Sequence, residues 1–543
     1  MAIIDGWRPS LIVGIDFGMT CTAVSFSQEP EYPGPWQIQK WPRPIGTNPG
    51  QLDNKVTTAV GYDGNNVLVN WGFVTGADGT AVTPEREFKL YIDPSFPDDH
   101  PTRPSHAEAI QFYTDYMTSL RQYIEVFFAN TMSDFHQRNV EYLFSIPTTW
   151  KNPMITANLG RILSLAGFSN GYNRRLEIYL TEAEAAAVNA AKQTFRVGDI
   201  VMVADAGGAT TDINTLKLLE RSTRSTKLKS LTKAEGINVG STLIDEAVRR
   251  SIAVRLRTLG VAGDDGELHW IADDMMREKR FEGIKCGFLG EPWQVQLSNI
   301  FNIPLDVAPQ VRDRRIIVTG TELKGFFDSQ IAVMAAKIDQ QRLELTRNQP
   351  GSTVGYLVLS GGLGSSAYVQ RQLRARYPGL QILCASEPQL AVAKGLVMDR
   401  VQKLKEGVGV YTGKCSRVSY GVLCRQPYDK KIHNGEFVEV DPLDKQRWAI
   451  EQIDWLIREG EAVPETGFTR RYQMKLPKNP EKKSFEAQFV MSEAPSHDLP
   501  RSLRRGNLTR LCNVRATFRD NEPVCHPEER AALWSPITLY CRL

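Results

Sequence analysis

The sequence predicts an α/β body followed by a smaller, β-rich unit. Buried-type strands such as Tyr356 to Ser360 alternate with segments of helical periodicity up to about residue 400, which is the pattern of an α/β fold. Beyond Lys405, charges, prolines and short alternating runs predominate. Because 543 residues exceed one ordinary hydrophobic core, we divide the chain into domains at residues 1–404 and 405–543.

Two similar glycine-bearing turns each follow an apolar strand that ends in an aspartate, Asp16 in the first and Asp205 in the second. Glycines allow the backbone to approach a ligand closely, and threonine hydroxyls and amide N–H groups face each turn. Such donors suit phosphate groups, and the carboxylates suit the cation that accompanies them. We therefore predict that the two turns face each other across a phosphate-binding cleft. Their residues are Gly18, Met19 and Thr20 in the first turn, and Gly207, Gly208 and Thr210 in the second.

A third glycine turn, Gly361-Gly362, follows the strand that ends at Ser360 and precedes a helix from Ala367. A strand that enters a helix through glycines directs amide N–H groups and the positive end of the helix dipole at a bound group. Thr181 is predicted to cap an alanine-rich helix, because Glu184 lies at the capping-box spacing.

The other elements follow from hydrophobic periodicity. Helices are predicted at residues 107–130 and 154–166, and another is capped by Thr319 or Thr321. Residues 93–107 are predicted to form an exposed loop, and two basic loops are expected at Lys475 to Lys483 and Arg501 to Arg510. The remaining strands are predicted at Thr57 to Tyr62, Val67 to Val69, Glu141 to Ile146, Leu176 to Leu180, Ile316 to Val318, Arg417 to Leu423, Glu436 to Val440, Gln452 to Ile457, Phe485 to Met491 and Asn513 to Phe518.

The composition predicts a soluble globular protein: 42% of residues are hydrophobic, 23% are charged and the net charge is +3. Neither a nucleic acid nor a membrane is therefore expected as a partner. No window approaches 18 consecutive apolar residues, and the N-terminus lacks the pattern of a secretory signal. Eight cysteines without a Cys-x-x-Cys pair fit a reduced interior without zinc. We expect a cytoplasmic protein.

In their order along the chain, these motifs resemble those of the actin-like ATPases, and within them the heat-shock protein 70 (DnaK-like) chaperones. The resemblance covers residues 10–400. It implies a two-lobed, ribonuclease H-like ATPase fold with a nucleotide cleft between the lobes. The matching segments are Ile15 to Thr20 and Asp205 to Asp212 (the two phosphate loops), Thr181 to Ala187 and Pro388 to Gly395 (the two connecting helices), and Val358 to Gly362 (the adenosine motif).

The resemblance implies ATP or ADP with Mg²⁺ as bound cofactors. Asp16 and Asp205 would hold the hydrated Mg²⁺, and Asp205 would also be catalytic. Glu182 would order the attacking water, and Lys89 would be the lysine near the γ-phosphate; the alternative for Lys89 is a surface lysine beside an apolar face. Glu282 and Lys285 would reach the ribose and the adenine. The full set of nucleotide-binding residues would be Gly18, Met19, Thr20, Gly207, Gly208, Thr210, Gly240, Glu282, Lys285, Gly361 and Gly362.

Four residues depart from the family pattern. Met19 replaces the first of two adjacent threonines, and Ala209 replaces a glycine. Leu363 and Ser365 stand where the family has a serine and a purine-stacking arginine. These departures resemble the divergent, chaperone-like members of the family and predict ATP binding with slow hydrolysis.

Beyond residue 410, only Ser419 to Val422 and Leu456 to Pro464 resemble the start of the chaperones' β-sandwich. No segment matches the apolar interdomain linker or the helical lid. We therefore expect a truncated, β-rich, substrate-binding-like domain that couples weakly to the cleft. By resemblance, the partners are ATP and, as candidates, client polypeptides and co-chaperones, and the chain is a monomer.

The leading hypothesis is an ATP-binding, slowly ATP-hydrolysing, chaperone-like protein. A first alternative is a nucleotide-dependent interaction module with negligible turnover, which Met19 and the missing arginine favour. A second alternative is a small-molecule kinase of the same superfamily. It would need a substrate-side aspartate as base, and the sequence does not identify one.

Overall fold

The computed structural model describes residues 7–42, 52–74, 82–94, 96, 104–193, 195–222, 225–278, 281–290, 293–296, 311–312, 315–442, 445–464, 468–477, 484–517 and 532–541. The chain forms two compact units, residues 1–227 with 234–410 and residues 228–233 with 411–543. The first unit is α/β, as the sequence predicts, and the second is built mainly of β-strands. The segment 228–233 belongs to the second unit, which a division at residue 404 does not anticipate.

The helices of the first unit begin where local capping chemistry favours a start. Ser105, Thr181 and Thr319 each cap a helix together with a glutamate three residues on, so that side chains bond the amides left free at the helix start. The predicted capping pair of Thr181 and Glu184 is confirmed, and Thr319 rather than Thr321 caps the later helix. The helices are α1 (His106–Thr131), α2 (Pro153–Leu165), α3 (Glu182–Ala190), α4 (Ser241–Thr258), α5 (Asp265–Glu278), α6 (Phe281–Cys286), α7 (Gly320–Asn348), α8 (Gly361–Gly364), α9 (Ala367–Arg376) and α10 (Ala391–Glu406).

Each strand predicted within residues 1–404 is present, although the predicted strand from Thr57 to Tyr62 is divided in two at Thr58. The strands are β1 (Leu11–Phe17), β2 (Cys21–Gln28), β3 (Trp36–Gln37), β4 (Val56–Thr57), β5 (Ala59–Tyr62), β6 (Leu68–Trp71), β7 (Thr83–Arg86), β8 (Val140–Ile146), β9 (Arg174–Thr181), β10 (Ile200–Ala206), β11 (Thr211–Arg221), β12 (Thr226–Ser230), β13 (Glu235–Ile237), β14 (Trp293–Gln296), β15 (Val311–Arg312), β16 (Arg315–Val318), β17 (Tyr356–Ser360) and β18 (Gln381–Cys384).

Two sheets of the first unit share one strand plan. In the first, β1 is antiparallel to β2 and parallel to β8, and β9 lies beyond β8; the short strand β4 pairs with β2. In the second, β10 is antiparallel to β11 and parallel to β17, and β18 lies beyond β17; the short strand β13 pairs with β11. Asp16 and Asp205 therefore lie at equivalent places, near the end of the central strand of each plan.

The helices repeat the same order around the two sheets. Helix α1 precedes β8, α2 connects it to β9 and α3 follows; α7 precedes β17, α9 connects it to β18 and α10 follows. Helices α3 and α10 pack on each other closely, because a Cβ atom at Gly395 would lie 1.8 Å from the carbonyl oxygen of Ala185. The absence of a side chain at Gly395 allows this contact between the two halves of the unit.

Each sheet packs against its own hydrophobic core. In the first, the ring of Phe17 meets Tyr113 of α1 edge-on, 4.6 Å between centroids, and Phe88 and Tyr116 lie beside it. In the second, Phe288 stacks on Phe327 of α7 at 4.9 Å. Because Phe17 follows Asp16 directly, the first aromatic core fixes the end of β1 at which the aspartate lies.

The third glycine turn is helical rather than open, since Gly361–Gly364 form the short helix α8, and α9 begins at Ala367 as predicted. Within the predicted loop at 93–107, residues 95 and 97–103 lie outside the described residues. Across the described ranges, no helix combines the length and apolar character needed to cross a membrane.

The second unit is β-rich, as predicted. The predicted strands of residues 405–543 are present. The strands are β19 (Tyr411–Cys415), β20 (Ser419–Pro427), β21 (Val438–Val440), β22 (Arg447–Ile457), β23 (Ala462–Pro464), β24 (Phe468–Pro477), β25 (Ser484–Ser492), β26 (Thr509–Thr517) and β27 (Ala532–Cys541). The main sheet is antiparallel throughout, in the order β21-β22-β20-β25-β26, and Val422, Leu456 and Ala487 form a small core.

The two segments predicted as basic loops in this unit both contain regular secondary structure. Lys475 lies inside β24, which pairs with β27, and residues 478–483 lie outside the described residues. The segment from Arg501 to Arg510 contains a short 3-10 helix, Leu503–Arg505, before β26 begins. Arg505 forms an ion pair with Glu436, so that part of this basic segment is bound to the sheet.

Candidate functional site

The two predicted glycine turns are in contact. A Cβ atom at Gly208 would lie 3.0 Å from Cγ2 and 3.1 Å from Oγ1 of Thr20. Each turn is closed by the same backbone bond: the amide of Gly18 donates to the carbonyl of Cys21 at 3.2 Å, and that of Gly207 to the carbonyl of Thr210 at 2.9 Å. Two turns of the same construction thus meet face to face at the ends of β1 and β10.

A buried carboxylate stands behind each turn. Asp16 is 6% exposed and Asp205 is 8% exposed. Among the described residues, Oδ1 of Asp205 has no hydrogen-bond donor. Burial, the charge of Asp16 and, less strongly, that of Asp212 raise the pKa of Asp205 to about 7, against the hydroxyl of Ser360 and the charge of Lys55. A buried carboxylate oxygen without a donor is a position at which a cation or its water shell would be stabilised.

A third carboxylate, Asp212, is bonded within the protein. It accepts the amide of Thr148 at 2.9 Å and the hydroxyl of Thr210 at 3.0 Å. Burial raises the pKa of Asp212, although these donors oppose the shift. Thr210, predicted as a phosphate donor, therefore gives its hydroxyl to Asp212.

Lys89 and Glu182 form a buried ion pair, with 2.5 Å between Nζ and Oε1. Lys89 is 5% exposed, so the alternative of a surface lysine is wrong. The cap at Thr181 places Glu182 at the first position of α3. Burial raises the pKa of Glu182, and the charges of Asp212 and Asp16 add to this effect against that of Lys89.

Sequence reasoning missed Lys55, which lies immediately before β4. Its ammonium is 3.3 Å from Oδ2 of Asp16. Burial lowers the pKa of Lys55, but the charges of Asp16, Cys21 and Asp205 together raise it above its usual value. The lysine therefore stays charged inside the cluster. The sequence pattern that could have identified Lys55 is a lysine directly before a threonine-rich strand, soon after the first turn.

The third glycine turn closes over Asp205. Gly361 has φ +77°, and a Cβ atom there would lie 2.3 Å from the carbonyl oxygen of Ala206 and 2.9 Å from Oδ1 of Asp205. Only glycine adopts this conformation at this distance without strain. At Gly362, by contrast, a Cβ atom would have no neighbour within 4 Å among the described residues, so this α-carbon faces open space.

The two predicted nucleoside residues on α6 have different surroundings. Lys285 is buried and bonds both carboxylate oxygens of Asp245, at 2.8 and 2.6 Å. Glu282 is exposed. Burial raises the pKa of Cys21, and Glu282 is one of the charges that add to the shift, so α6 reaches the neighbourhood of the first turn. The partner of Lys285, Asp245, was not foreseen from the sequence.

Two other predicted residues support the turns in different ways. Gly240, directly before α4, touches the second turn: a Cβ atom there would lie 2.1 Å from the carbonyl oxygen of Gly208, which accepts the amide of Thr242 at 2.8 Å. Met19 is buried among the apolar side chains of the first core. Gly240 thus allows the start of α4 to pack against the second turn. Met19 stabilises the first turn by packing in the hydrophobic core.

The carboxylates do not form a direct metal cage. Within the described ranges, no three His, Cys, Asp or Glu side chains converge closely enough to hold a metal ion. The cluster holds four buried carboxylates (Asp16, Asp205, Asp212 and Glu182) and two lysines (Lys55 and Lys89), which leaves two negative charges when all six groups are ionised. A divalent cation held through its water shell matches this charge and does not need three side chains to converge on it.

We expect the ligand-free protein to lose stability as the pH rises. Asp205 ionises near pH 3.8 when unfolded and near about 7 when folded, so its contribution is complete below pH 3.8 and is lost as the pH rises through about 7. The full difference corresponds to about 4 kcal/mol. Chemical denaturation at pH 5 and pH 8 spans about two of these pH units, so the free energy of unfolding should fall by about 3 kcal/mol between the two measurements. Asp205→Asn should flatten the pH dependence; an unchanged slope would contradict the assignment.

Comparison with known proteins bears on the second unit. A family model described as "Domain of unknown function (DUF8568)" matches residues 414–520. No curated protein matches the chain. The match lies in the β-rich second unit and does not include the paired glycine turns of the first unit.

Proposed function

We propose that the first unit binds ATP with Mg²⁺ between the two glycine turns and hydrolyses it slowly. The observation that carries this proposal is the contact between Gly208 and Thr20, which joins two turns of the same construction in front of Asp16 and Asp205. Paired turns built from glycine and threonine suit a chain of phosphates, and the carboxylates suit the accompanying cation.

The strand plan supports an actin-like, two-lobed, ribonuclease H-like architecture for this proposal. The order of antiparallel hairpin, crossover helix, parallel strand, helix, parallel strand and helix occurs twice in the chain, around β1 and around β10. In each copy the aspartate lies near the end of the central strand. On this proposal, such an internal repeat would bring the same chemical group to both sides of one ligand.

The residues present fit Mg²⁺ and the phosphates. Asp16 and Asp205 would hold the hydrated cation, since Oδ1 of Asp205 has no donor among the described residues and the turns lie directly in front. Bound Mg²⁺ would supply neutralisation of the phosphate charge. The amides of Gly18 and Gly207 close the turns, so the other backbone amides of the two turns and the hydroxyl of Thr20 would donate to phosphate oxygens.

The nucleoside would lie over the third glycine turn. Gly362 faces open space, so a flat base and its ribose could approach the backbone there. Glu282, exposed and near the first turn, would accept a ribose hydroxyl. Lys285 would act through its bond to Asp245, which fixes α6 relative to α4.

Slow turnover follows from the state of Glu182. This carboxylate is bonded to Lys89 and has a raised pKa, so it must exchange that partner for water before it can orient an attack. The same observation, together with the burial of Met19, favours a second candidate function, a nucleotide-dependent interaction module without turnover. Single-turnover hydrolysis of Mg·ATP separates the two.

The chaperone-like part of the proposal rests on the resemblance of the first unit to the heat-shock protein 70 family. On this proposal the β-rich second unit is a substrate-binding-like domain, with client polypeptides and co-chaperones as candidate partners. Limited proteolysis after residue 405, with and without Mg·ATP, measures how far the unit responds to nucleotide.

Gly362→Val is expected to weaken ATP binding at least about tenfold while leaving the fold unchanged. The added side chain enters open space in the free protein, so it costs little stability, but it would occupy the face proposed for the nucleoside. Isothermal titration calorimetry with Mg·ATP measures the change, and thermal unfolding checks the fold.

Gly379→Val is the matched control, because a Cβ atom at Gly379 also has no neighbour within 4 Å among the described residues, and it lies outside the glycine turns. We expect wild-type ATP affinity for this variant. Equal affinity of Gly362→Val and Gly379→Val would mean that Gly362 does not face the nucleoside.

A further inference from the structure

We propose that Lys55 acts as a built-in cation at Asp16, and that a divalent cation reaches this carboxylate only by displacing the Lys55 ammonium. The inference rests on the proposed function and deepens it, because it names the residue that controls when the cation binds. Lys55 is on this account a positioning residue: it acts through Asp16.

The backbone at Lys55 is fixed to the first turn. Thr58, three residues on, donates its amide to the carbonyl of Thr20 at 2.8 Å and its hydroxyl to the carbonyl of Gly18 at 2.9 Å. The hydroxyls of Thr58 and Thr22 are also within 2.9 Å of each other. These bonds hold β4 against β2, so the start of the Lys55 side chain has a constant position relative to Asp16.

The side chain of Lys55 is longer than that of Asp16 and more exposed to solvent. It is 19% exposed, whereas that of its partner Asp16 is 9% exposed. A lysine side chain has four rotatable bonds, so its ammonium can leave the carboxylate while the backbone remains in place. The structure therefore provides a fixed anchor with a movable charge.

Most of the other charged groups in the cluster already have a partner within the protein. Lys89 is held by Glu182 at 2.5 Å, and Asp212 has the donors Thr148 and Thr210. Asp16 forms an ion pair with Lys55, whereas Oδ1 of Asp205 has no hydrogen-bond donor among the described residues. Lys55 is accordingly the cation that stands nearest the place where Asp16 and Asp205 would share a metal.

Two cations cannot both stay beside Asp16 without strong repulsion, since the site is poorly solvated. In the absence of nucleotide, Lys55 therefore lowers the affinity for a divalent cation. When phosphates are present, they offer the displaced ammonium another anion and so favour the exchange. In this way Lys55 couples cation binding to nucleotide binding.

The test measures Mn²⁺ binding to the full chain by electron paramagnetic resonance, without nucleotide. We expect Lys55→Met to tighten Mn²⁺ binding about tenfold, and Lys55→Arg, which keeps the charge, to stay within about twofold of wild type. The gain from Lys55→Met should disappear when it is combined with Asp16→Asn, because the lysine acts through that carboxylate.

Lys55→Gln is a second neutral variant in case Lys55→Met does not fold, and Lys324→Met, on the exposed face of α7, is the matched control. Circular dichroism verifies the fold of each. Unchanged or weaker Mn²⁺ binding in the folded neutral variants overturns the inference. If wild type still binds Mg·ATP in that case, the proposed function stands; if no variant binds Mn²⁺ or Mg·ATP, both fail.

Discussion

Replacing Asp205 by asparagine is expected to reduce Mg²⁺-dependent ATP hydrolysis at least about a hundredfold while the protein stays folded. The change keeps the shape of the side chain and removes the charge proposed to hold the hydrated cation. Because burial and the charge of Asp16 already disfavour the ionised form, the neutral amide should not lower the thermal unfolding temperature at pH 8. Single-turnover hydrolysis and thermal unfolding measure the two effects.

Asp339→Asn is the control for this experiment, since Asp339 lies on α7 in exposed ion pairs with Arg342 and Arg376. Exposed pairs of this kind contribute little to stability, so both turnover and unfolding temperature should match wild type. Normal turnover in a folded Asp205→Asn protein would end the assignment of this aspartate.

Gly395→Ala is expected to destabilise the first unit by about 3 kcal/mol. The new Cβ atom would lie 1.8 Å from the carbonyl oxygen of Ala185 and 2.6 Å from its carbonyl carbon, so α3 and α10 must move apart. Since both neighbours are backbone atoms, no side-chain rotation relieves the clash. Urea denaturation, monitored by circular dichroism, measures the loss.

The control is the same substitution at Gly325, also within a helix, where a Cβ atom has no neighbour within 4 Å among the described residues. Alanine favours a helix over glycine by about 0.5–1 kcal/mol, so Gly325→Ala should raise stability. Equal effects of the two substitutions would mean that α3 and α10 do not pack through Gly395.

The sequence predicts the parts of the site that local patterns determine. An apolar run that ends in an aspartate before a glycine turn is recognisable without a structure, and both Asp16 and Asp205 lie near strand ends as expected. The cap at Thr181 is equally local, because its partner Glu184 is three residues away. Strand ends and helix caps follow from neighbours in sequence.

The remaining parts depend on contacts between distant segments. Lys55 meets Asp16 only because β4 returns to β2 and Thr58 bonds the first turn. The bond between Lys285 and Asp245 likewise joins residues on two different helices. No local pattern specifies which distant partner a lysine meets, so these pairs required the fold.

The position of the Met19 side chain is another feature that the sequence alone does not determine. The sequence marks it as a replacement in the first phosphate loop, but it does not say where the side chain points. In the structure Met19 is 6% exposed within the first core. The replacement is therefore accommodated by packing behind the turn, where a flexible apolar side chain is favourable.

Calorimetric titration of the full chain with ATP, in the presence and absence of Mg²⁺, is the most direct test of a nucleotide site between the two glycine turns. Such a site predicts saturable binding of one nucleotide per chain that is tighter with Mg²⁺ and that Gly362→Val weakens. The absence of binding heat and of any thermal stabilisation by millimolar ATP, with or without Mg²⁺, would contradict it.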